Sequence, residues 1–404
     1  MSTSLLYHAF GATAHDYLRT EYRGGAVHFH LETKASRLCC AECGSAEVSS
    51  KGRVKCTLRG LPIGFRPVFL VLWLRVLFCS SCKRVRQERR RLADQRKSYT
   101  RAFARLVLGL AGEMALSSVA SLLQVSWSMV RDIVKGDLDR RAERLSLADV
   151  RCIAIDEFAI RKGHRYATVV VEMLTGQVLF CVEGRDHTCL KPFFDRLAES
   201  GAKLEAVAVD MSGAYGKAIE LFAPGMPIVF DRFHVVSRMN EALDDLRRSE
   251  QNRLEGEGKR TIKGARYLLL RAKENLQKTP EKQARLDQLL AANELLHKAY
   301  LLKEDLRLFW DQATKQQAAD FIDRWVKEAR ELGSKIIATV AETIALHRQR
   351  ILAWYDHRIT TGPLEGLNNK IKVLKRRAYG YRDMPFFLLR VLFIHETRFR
   401  LSGV

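Results

Sequence analysis

Between Arg151 and His234 the chain alternates short apolar runs with turns in an order that few folds accommodate. Cys152-Ile153-Ala154-Ile155-Asp156-Glu157-Phe158 reads as a buried strand that ends in acids. Arg165 to Glu172 and Gln177 to Glu183 read as two more strands, separated by Leu174-Thr175-Gly176 as a hairpin turn. Thr188 to Ser200 has the periodicity of an amphipathic helix, and Leu204 to Val209 is a fourth strand running into Asp210. A helix from about Tyr215 to Phe222 follows. Pro227 to Phe230 is then a last strand, leading into Asp231-Arg232-Phe233-His234.

Three antiparallel strands, a helix, a parallel strand, a helix and a final strand match the ribonuclease-H-like order. Asp156 and Asp210 then sit at the ends of the first and fourth strands, which are neighbours in that sheet. Ligands of open α/β sheets gather at strand ends, where these two acids would be needed. From about Val235 to Tyr355 the texture is almost wholly helical, with breaks near Glu255-Gly256-Glu257-Gly258, Thr279-Pro280 and Leu332-Gly333. Leu306, Phe309, Trp310, Phe321 and Trp325 recur there at helical spacing and read as core. This stretch is read as an α-helical insertion inside the catalytic domain. Beyond it comes Thr360-Thr361-Gly362-Pro363-Leu364-Glu365-Gly366-Leu367-Asn368-Asn369-Lys370-Ile371-Lys372. On a helix, Glu365, Asn368, Asn369 and Lys372 share one face, and Leu364, Leu367, Ile371 and Leu374 form a neighbouring apolar stripe. One acid amid amides and cations suits a site that holds a metal against phosphate.

Four of the nine cysteines form two pairs, Cys40-x2-Cys43 and Cys79-x2-Cys82. Each knuckle can bring two thiolates to one tetrahedral ion, and two knuckles complete a four-sulfur zinc shell. The 35-residue spacer between them implies a small hairpin, with Val54 to Leu58 and Val68 to Phe78 as its strands and Gly60-Leu61-Pro62 as a turn. Cys39 stands as an alternative to Cys40. Cys56, Cys152, Cys181 and Cys189 lack ligand spacing and read as core residues. Between Lys83 and Arg105 there are ten Lys or Arg against two acids, Glu88 and Asp94. This basic run leads into Leu116 to Val134, a helix-turn-helix candidate. Ser117 would cap its first helix over Val119 and Leu123. Gln124-Val125-Ser126 would make the turn, and Ser126 would cap a second helix over Val130, Ile133 and Val134. An ordinary αα-hairpin shows the same pattern; on a DNA reader, Trp127, Ser128 and Arg131 would face the major groove.

With 404 residues the chain can build more than one domain, and its net charge of +22 favours a polyanionic partner such as DNA or RNA. A cationic membrane-surface protein is the competing class. However, no signal peptide or long uncharged apolar span is present, and the most apolar early run, Val68 to Phe78, is short and broken by Arg75. The expected setting is soluble and cytoplasmic.

The motifs together resemble the ISL3 family of bacterial insertion-sequence transposases. The residues that carry the resemblance are Ile155-Asp156-Glu157, Val209-Asp210-Met211-Ser212, Phe230-Asp231-Arg232-Phe233-His234-Val235-Val236, the Gly362 to Lys372 segment, and Lys375-Arg376-Arg377-Ala378-Tyr379-Gly380-Tyr381. The resemblance implies a DDE transposase of the bacterial nucleoid, with Asp156, Asp210 and Glu365 as its triad and two Mg²⁺ ions between them. It also implies terminal inverted repeats and target DNA as double-stranded partners, and at least a homodimer to synapse two ends. Asn369, Lys372, Lys375, Arg376, Arg377 and Asn368 are expected on the DNA backbone. Glu157 and Asp231 are expected near the metals, either bracing the ligands or as ordinary strand-end residues. His234 is expected to orient a phosphate or water, or to be a hydrogen-bonded structural histidine. The expected fold class is α/β: a ribonuclease-H-like domain (149–236 and 357–404) interrupted by an all-α insertion (237–356), preceded by a zinc-binding domain (1–92) and a helix-turn-helix domain (93–148). Two other classes fit part of the pattern. One is a ribonuclease-H-like nuclease or resolvase that cuts without joining, and the other is a zinc and helix-turn-helix regulator.

Overall fold

The computed structural model describes residues 5–161, 163, 165–211, 213–359 and 362–394, apart from the side chains of Leu5, Glu257 and Pro363. Ser212, Thr360 and Thr361 lie outside the described residues. The chain divides into two compact units: Met1–Arg144 with Leu374–Leu389, and Leu145–Val373 with a short return that begins at Arg390.

The first unit holds a five-stranded sheet. Strands β1 (His15–Arg23), β2 (Ala26–Thr33), β4 (Val68–Cys79) and β3 (Val48–Arg59) lie in the order β1-β2-β4-β3, and β5 (Val85–Gln87) pairs with β4. The expected hairpin is β3 against β4, but it is larger than expected. The sequence reading also passed over β1 and β2, whose β2 runs parallel to β4. Val68, Leu70, Leu72 and Leu74 alternate along β4 and fill the core of this sheet with Leu31 and Leu58. Three helices follow: Arg101–Glu113, Leu116–Leu123 and Trp127–Glu143. Ser126 caps the third, accepting from the Met129 amide at 3.2 Å. Ser117 does not cap the second; Ala115 stands at that position, and Ser117 lies inside the first turn. Val119, Leu123, Val130, Ile133 and Val134 are all buried, as the pattern required. Arg59, at the end of β3, ties the sheet to the helices. Its guanidinium lies 5.2 and 5.4 Å from the rings of Phe69 and Phe103 and donates to the Leu123 carbonyl at 2.8 Å.

The second unit is built on a mixed sheet of β6 (Cys152–Arg161), β7 (Arg165–Glu172), β8 (Val178–Glu183), β9 (Ala206–Val209) and β10 (Ile228–Phe230). The order is β10-β9-β6-β7-β8, so β6 is central. It is antiparallel to β7 and parallel to β9. β6 does not end in its acids: it continues to Arg161, paired with β7, while its pairing with β9 stops at Ile155. Asp156 is thus a mid-strand residue placed where the parallel neighbour ends.

The helical stretch shares one core with this sheet. Ile153, Ile155, Val207 and Val209 belong to the same buried cluster as Leu289, Phe309, Trp325 and Ile337. Phe309, Trp310, Phe321 and Trp325 are buried, and the Trp325 indole donates to the Leu302 carbonyl at 2.8 Å. His347 meets the Phe230 ring of β10 edge-on at 5.0 Å. The helix Gly362–Arg377 presents Leu364, Leu367 and Ile371 to the interior, each 1% exposed. That apolar stripe leaves Glu365, Asn369 and Lys372 on the solvent side.

Candidate active site and metal centre

In the register of β6 with β9 the last pair is Ile155 with Val209, so Asp156 and Asp210 each stand one residue past it, Asp210 just beyond the end of β9, and the Asp210 charge acts on Asp156. Successive strand residues point to opposite faces. Glu157 therefore shares a face with Ile153 and Ile155, and Asp156 looks to the other. There the Gly362–Arg377 helix meets it: Asn368 Nδ2 donates to Asp156 Oδ2 at 2.9 Å. The other carboxylate oxygen accepts from the Glu157 amide at 2.7 Å. Asn368 had been expected on the DNA backbone; its amide nitrogen is instead committed to a carboxylate, because the apolar stripe turns that edge of the helix toward β6. Glu365 precedes Asn368 by three residues, hence lies on the same helix face about 5–6 Å away. It is exposed.

Burial pushes the Asp156 carboxyl above its ordinary range, and the nearby Asp210 charge adds to this. The Glu157 amide, the Asn368 amide and His234 pull the other way. Glu157 is also pushed up by burial, opposed by Arg185 and reinforced by Asp210 and Asp156. Together Glu157, Asp210, His234, Arg185, Arg238 and Glu241 line a cavity of about 580 Å³. Arg185 and Arg238 were missed by the sequence reading. Arg238 carried a signal, standing one turn past His234 on the same helix. Arg185 carried none, since its place is set by the turn after β8. Asp231 is buried and caps the helix Arg232–Arg253, accepting from the Phe233 amide at 3.1 Å.

The remaining basic candidates are distributed along the helix Gly362–Arg377 and its exit. Asn369, Lys372, Arg376 and Arg377 are exposed, and Lys375 is half-buried, with burial lowering its ammonium. Tyr379 is almost wholly exposed, whereas Tyr381 packs on Phe387 at 4.7 Å. In the first unit Trp127 and Ser128 are exposed at the start of their helix. The Arg131 guanidinium lies 5.5 Å from the Trp127 ring and pairs with Asp132 at 2.7 Å.

The cysteine cluster is more compact. The sulfurs of Cys40, Cys43, Cys79 and Cys82 all lie within 4.8 Å of one another. Cys40 and Cys82 stand 3.7 Å apart and Cys43 and Cys79 3.5 Å apart. A tetrahedron with Zn–S bonds of about 2.3 Å has sulfur edges near 3.8 Å, so the four thiols fit the ion. The β3–β4 register makes the site, since it sets Val48, just past the first knuckle, opposite Cys79. The knuckle amide of Cys82 leads in pulling the Cys79 thiol down to about 6. Cys39 is outside the cluster; its sulfur faces Arg91 at 3.9 Å, which leaves Cys40 as the ligand. Part of the basic run braces this loop: Arg89 donates to the Ala41 carbonyl at 2.9 and 2.6 Å and Arg91 to the Arg37 carbonyl at 2.7 Å.

A family model described as "Transposase", of the ISL3 type, matches residues 153–391, which include all three acids and Asn368. A second model, the zinc-finger of transposases IS204/IS1001/IS1096/IS1165, matches residues 36–82. The chain belongs to the ISL3 family of insertion-sequence transposases. The transposase for insertion sequence element IS1001 of Bordetella parapertussis is 33% identical to this transposase over 91% of each chain. The transposase for IS1557 of Mycobacterium tuberculosis is 32% identical over 72% of this chain and 70% of its own. The Drosophila P element transposase strand transfer complex overlaps 76% of this transposase and 94% of its own chain, at 11% identity and a TM-score of 0.43. The cysteine cluster and the zinc-finger model together support a structural zinc in this transposase. No helix among its described residues is long and apolar enough to cross a membrane.

Proposed function

We propose that the transposase cuts and joins DNA by a DDE mechanism on a ribonuclease-H-like sheet, with Asp156, Asp210 and Glu365 as the ligands of two Mg²⁺ ions. The observation that carries this reading is the placement of Asp156 and Asp210 each one residue past the last pair of β6 with β9, with the helix that bears Glu365 hydrogen-bonded to Asp156. The donor set fits a hard divalent cation: it is all oxygen, and like-charged acids held close favour a cation between them. Bound there, the ions would activate the nucleophile and steady the leaving oxygen. Hydrolysis would cut a phosphodiester to leave a free 3′-hydroxyl on the element. That hydroxyl would then attack a target phosphodiester, forming one P–O bond as another breaks. His234, Arg185 and Arg238 would receive the backbone of the strand in the cavity beside Asp210, and Asn369, Lys372, Lys375, Arg376 and Arg377 would grip phosphates further along.

The helices Leu116–Leu123 and Trp127–Glu143 would act as a helix-turn-helix reader of the terminal inverted repeats, with Trp127, Ser128 and Arg131 at the groove. The proposed division is 1–92 zinc-binding, 93–148 reader, 149–236 and 357–404 catalytic, and 237–356 insertion. The protein would act as at least a homodimer on DNA in the bacterial nucleoid. The test incubates the full chain with Mg²⁺, duplexes carrying the element's ends, and a target plasmid. Joined products that vanish with Asp156→Asn, Asp210→Asn or Glu365→Gln are expected. Cleavage without joining would identify a nuclease, and binding without cleavage a regulator.

A further inference from the structure

Among the described residues the Asn368 side chain makes one hydrogen bond and lacks another. Its Nδ2 donates to Asp156 Oδ2 at 2.9 Å, while its Oδ1 is buried and has no partner among the described residues. Turning the carboxamide over would set its oxygen against an ionised carboxylate, so the bond to Asp156 dictates which end carries the orphan. A buried carbonyl oxygen without a donor costs about 1–3 kcal/mol, so a donor is expected to reach it in the working state. The Asp156 carboxylate beside it cannot serve, because a carboxylate only accepts. Water held by a divalent cation is a strong donor and arrives only when the cation does.

We propose that Asn368 is a positioning residue for the metal site, holding Asp156 with its nitrogen and a cation-bound water with its oxygen. The inference rests on the metal-binding reading of the three acids. The geometry suits the role: among the described residues each Asp156 oxygen has one donor, Glu157 N at 2.7 Å and Asn368 Nδ2 at 2.9 Å, and keeps a lone pair for a cation. Because Asn368 and Glu365 are a helix turn apart, the same contact also sets the distance between the first and third acids.

The test titrates Mn²⁺ into the full-length, zinc-loaded protein by calorimetry. Asn368→Leu, which removes both polar atoms at similar volume, is expected to weaken Mn²⁺ binding about 10- to 100-fold. Its metal-free binding to an inverted-repeat duplex should stay unchanged. Mn²⁺ affinity equal to wild type overturns the inference, and so does a loss confined to duplex binding, which would make Asn368 a DNA contact. Asp156→Asn is the control for the underlying reading: undiminished Mn²⁺ binding by that variant would remove the metal site itself. Loss in Asp156→Asn with retention in Asn368→Leu would remove only the role of Asn368. If Asn368→Leu fails to fold, Asn368→Asp replaces it. The added carboxylate faces Asp156, so its metal-free melting temperature is expected to fall and to be restored by Mn²⁺. A fall that Mn²⁺ leaves in place counts against the proposal.

Discussion

The two candidate metal centres of this chain are built on opposite plans. Four thiols stand within 4.8 Å of one another, held by a strand register and by knuckle amides, so their site has tetrahedral dimensions in the bare protein. Among the described residues the three acids are not gathered to that degree. Asp156 lies on β6, Asp210 stands just past the end of its neighbour β9, and Glu365 sits on an exposed turn of the Gly362–Arg377 helix. Thiols can be neutral until a metal displaces their protons, so they tolerate proximity. Carboxylates at neutral pH repel, and a site that must also admit a DNA strand has to stay open. A closed shell suits structure and an open one suits chemistry.

The sharpest way to break this contrast is to remove one charge from the open site. Asp156→Asn, Asp210→Asn and Glu365→Gln should each lower strand cleavage by about a thousandfold or more, since a lost metal ligand costs several kcal/mol of transition-state stabilisation. An oligonucleotide cleavage assay measures this, and near-wild-type rates from any of the three would end the triad assignment. Next comes the closed site. Cys79→Ser should abolish the bound zinc, read by metal analysis, and unfold the 36–82 ribbon, while the buried core of the second unit stays protected from hydrogen exchange. Retention of zinc by Cys79→Ser, or its loss in Cys39→Ser, would reassign the ligands.

A smaller effect runs in the opposite direction. Burial raises the Asp156 carboxyl, so the folded chain holds that proton more tightly than the unfolded chain does. The resulting stabilisation is present at acid pH, below the ordinary carboxylate range, and is lost as pH rises through the raised value. At neutral pH the metal-free protein therefore bears an ionised, partly buried acid at a cost. Asp156→Asn should melt above wild type in magnesium-free buffer and lose the wild type's gain on adding Mg²⁺. A variant that melts lower without metal would show that the open site is not strained. Smaller again, replacing Lys372, Arg376 or Arg377 by Ala should each reduce the slope of log affinity against log salt by about one, measured by duplex binding across ionic strengths. Smallest, Gln124→Gly should raise stability by less than about 1 kcal/mol, because Gln124 holds a left-handed turn at φ 51°. A lower melting point in Gln124→Gly would show that side-chain contacts of Gln124 outweigh that strain.

Local chemistry was legible wherever one short segment decides it. The CxxC spacing named the thiol shell because a knuckle needs no partner beyond its own turn. Ser126 was legible as a cap because a cap acts on the next three residues. Leu364, Leu367 and Ile371 announced the buried stripe because helix periodicity is local. β1 and β2 escaped notice because their exposed and mixed faces carry little periodic signal; β1 is mostly exposed. Ser117 was misread because the helix starts earlier, at Leu116 after Ala115, where no capping side chain marks the boundary in the sequence.

The sequence alone determined which atoms this protein has for its chemistry: four thiols at ligand spacing, two aspartates each following an apolar run, one glutamate on an amphipathic helix and a large excess of positive charge. Only the tertiary structure decided their relations. The β6–β9 register set Asp156 beside Asp210, the apolar stripe docked a helix more than two hundred residues away so that Asn368 met Asp156, and Asp231 became a helix cap. Strand pairing and helix docking are chosen by burial summed over many side chains. The partner of any one polar group is therefore settled by the packing around it, which its own neighbours in the chain do not encode.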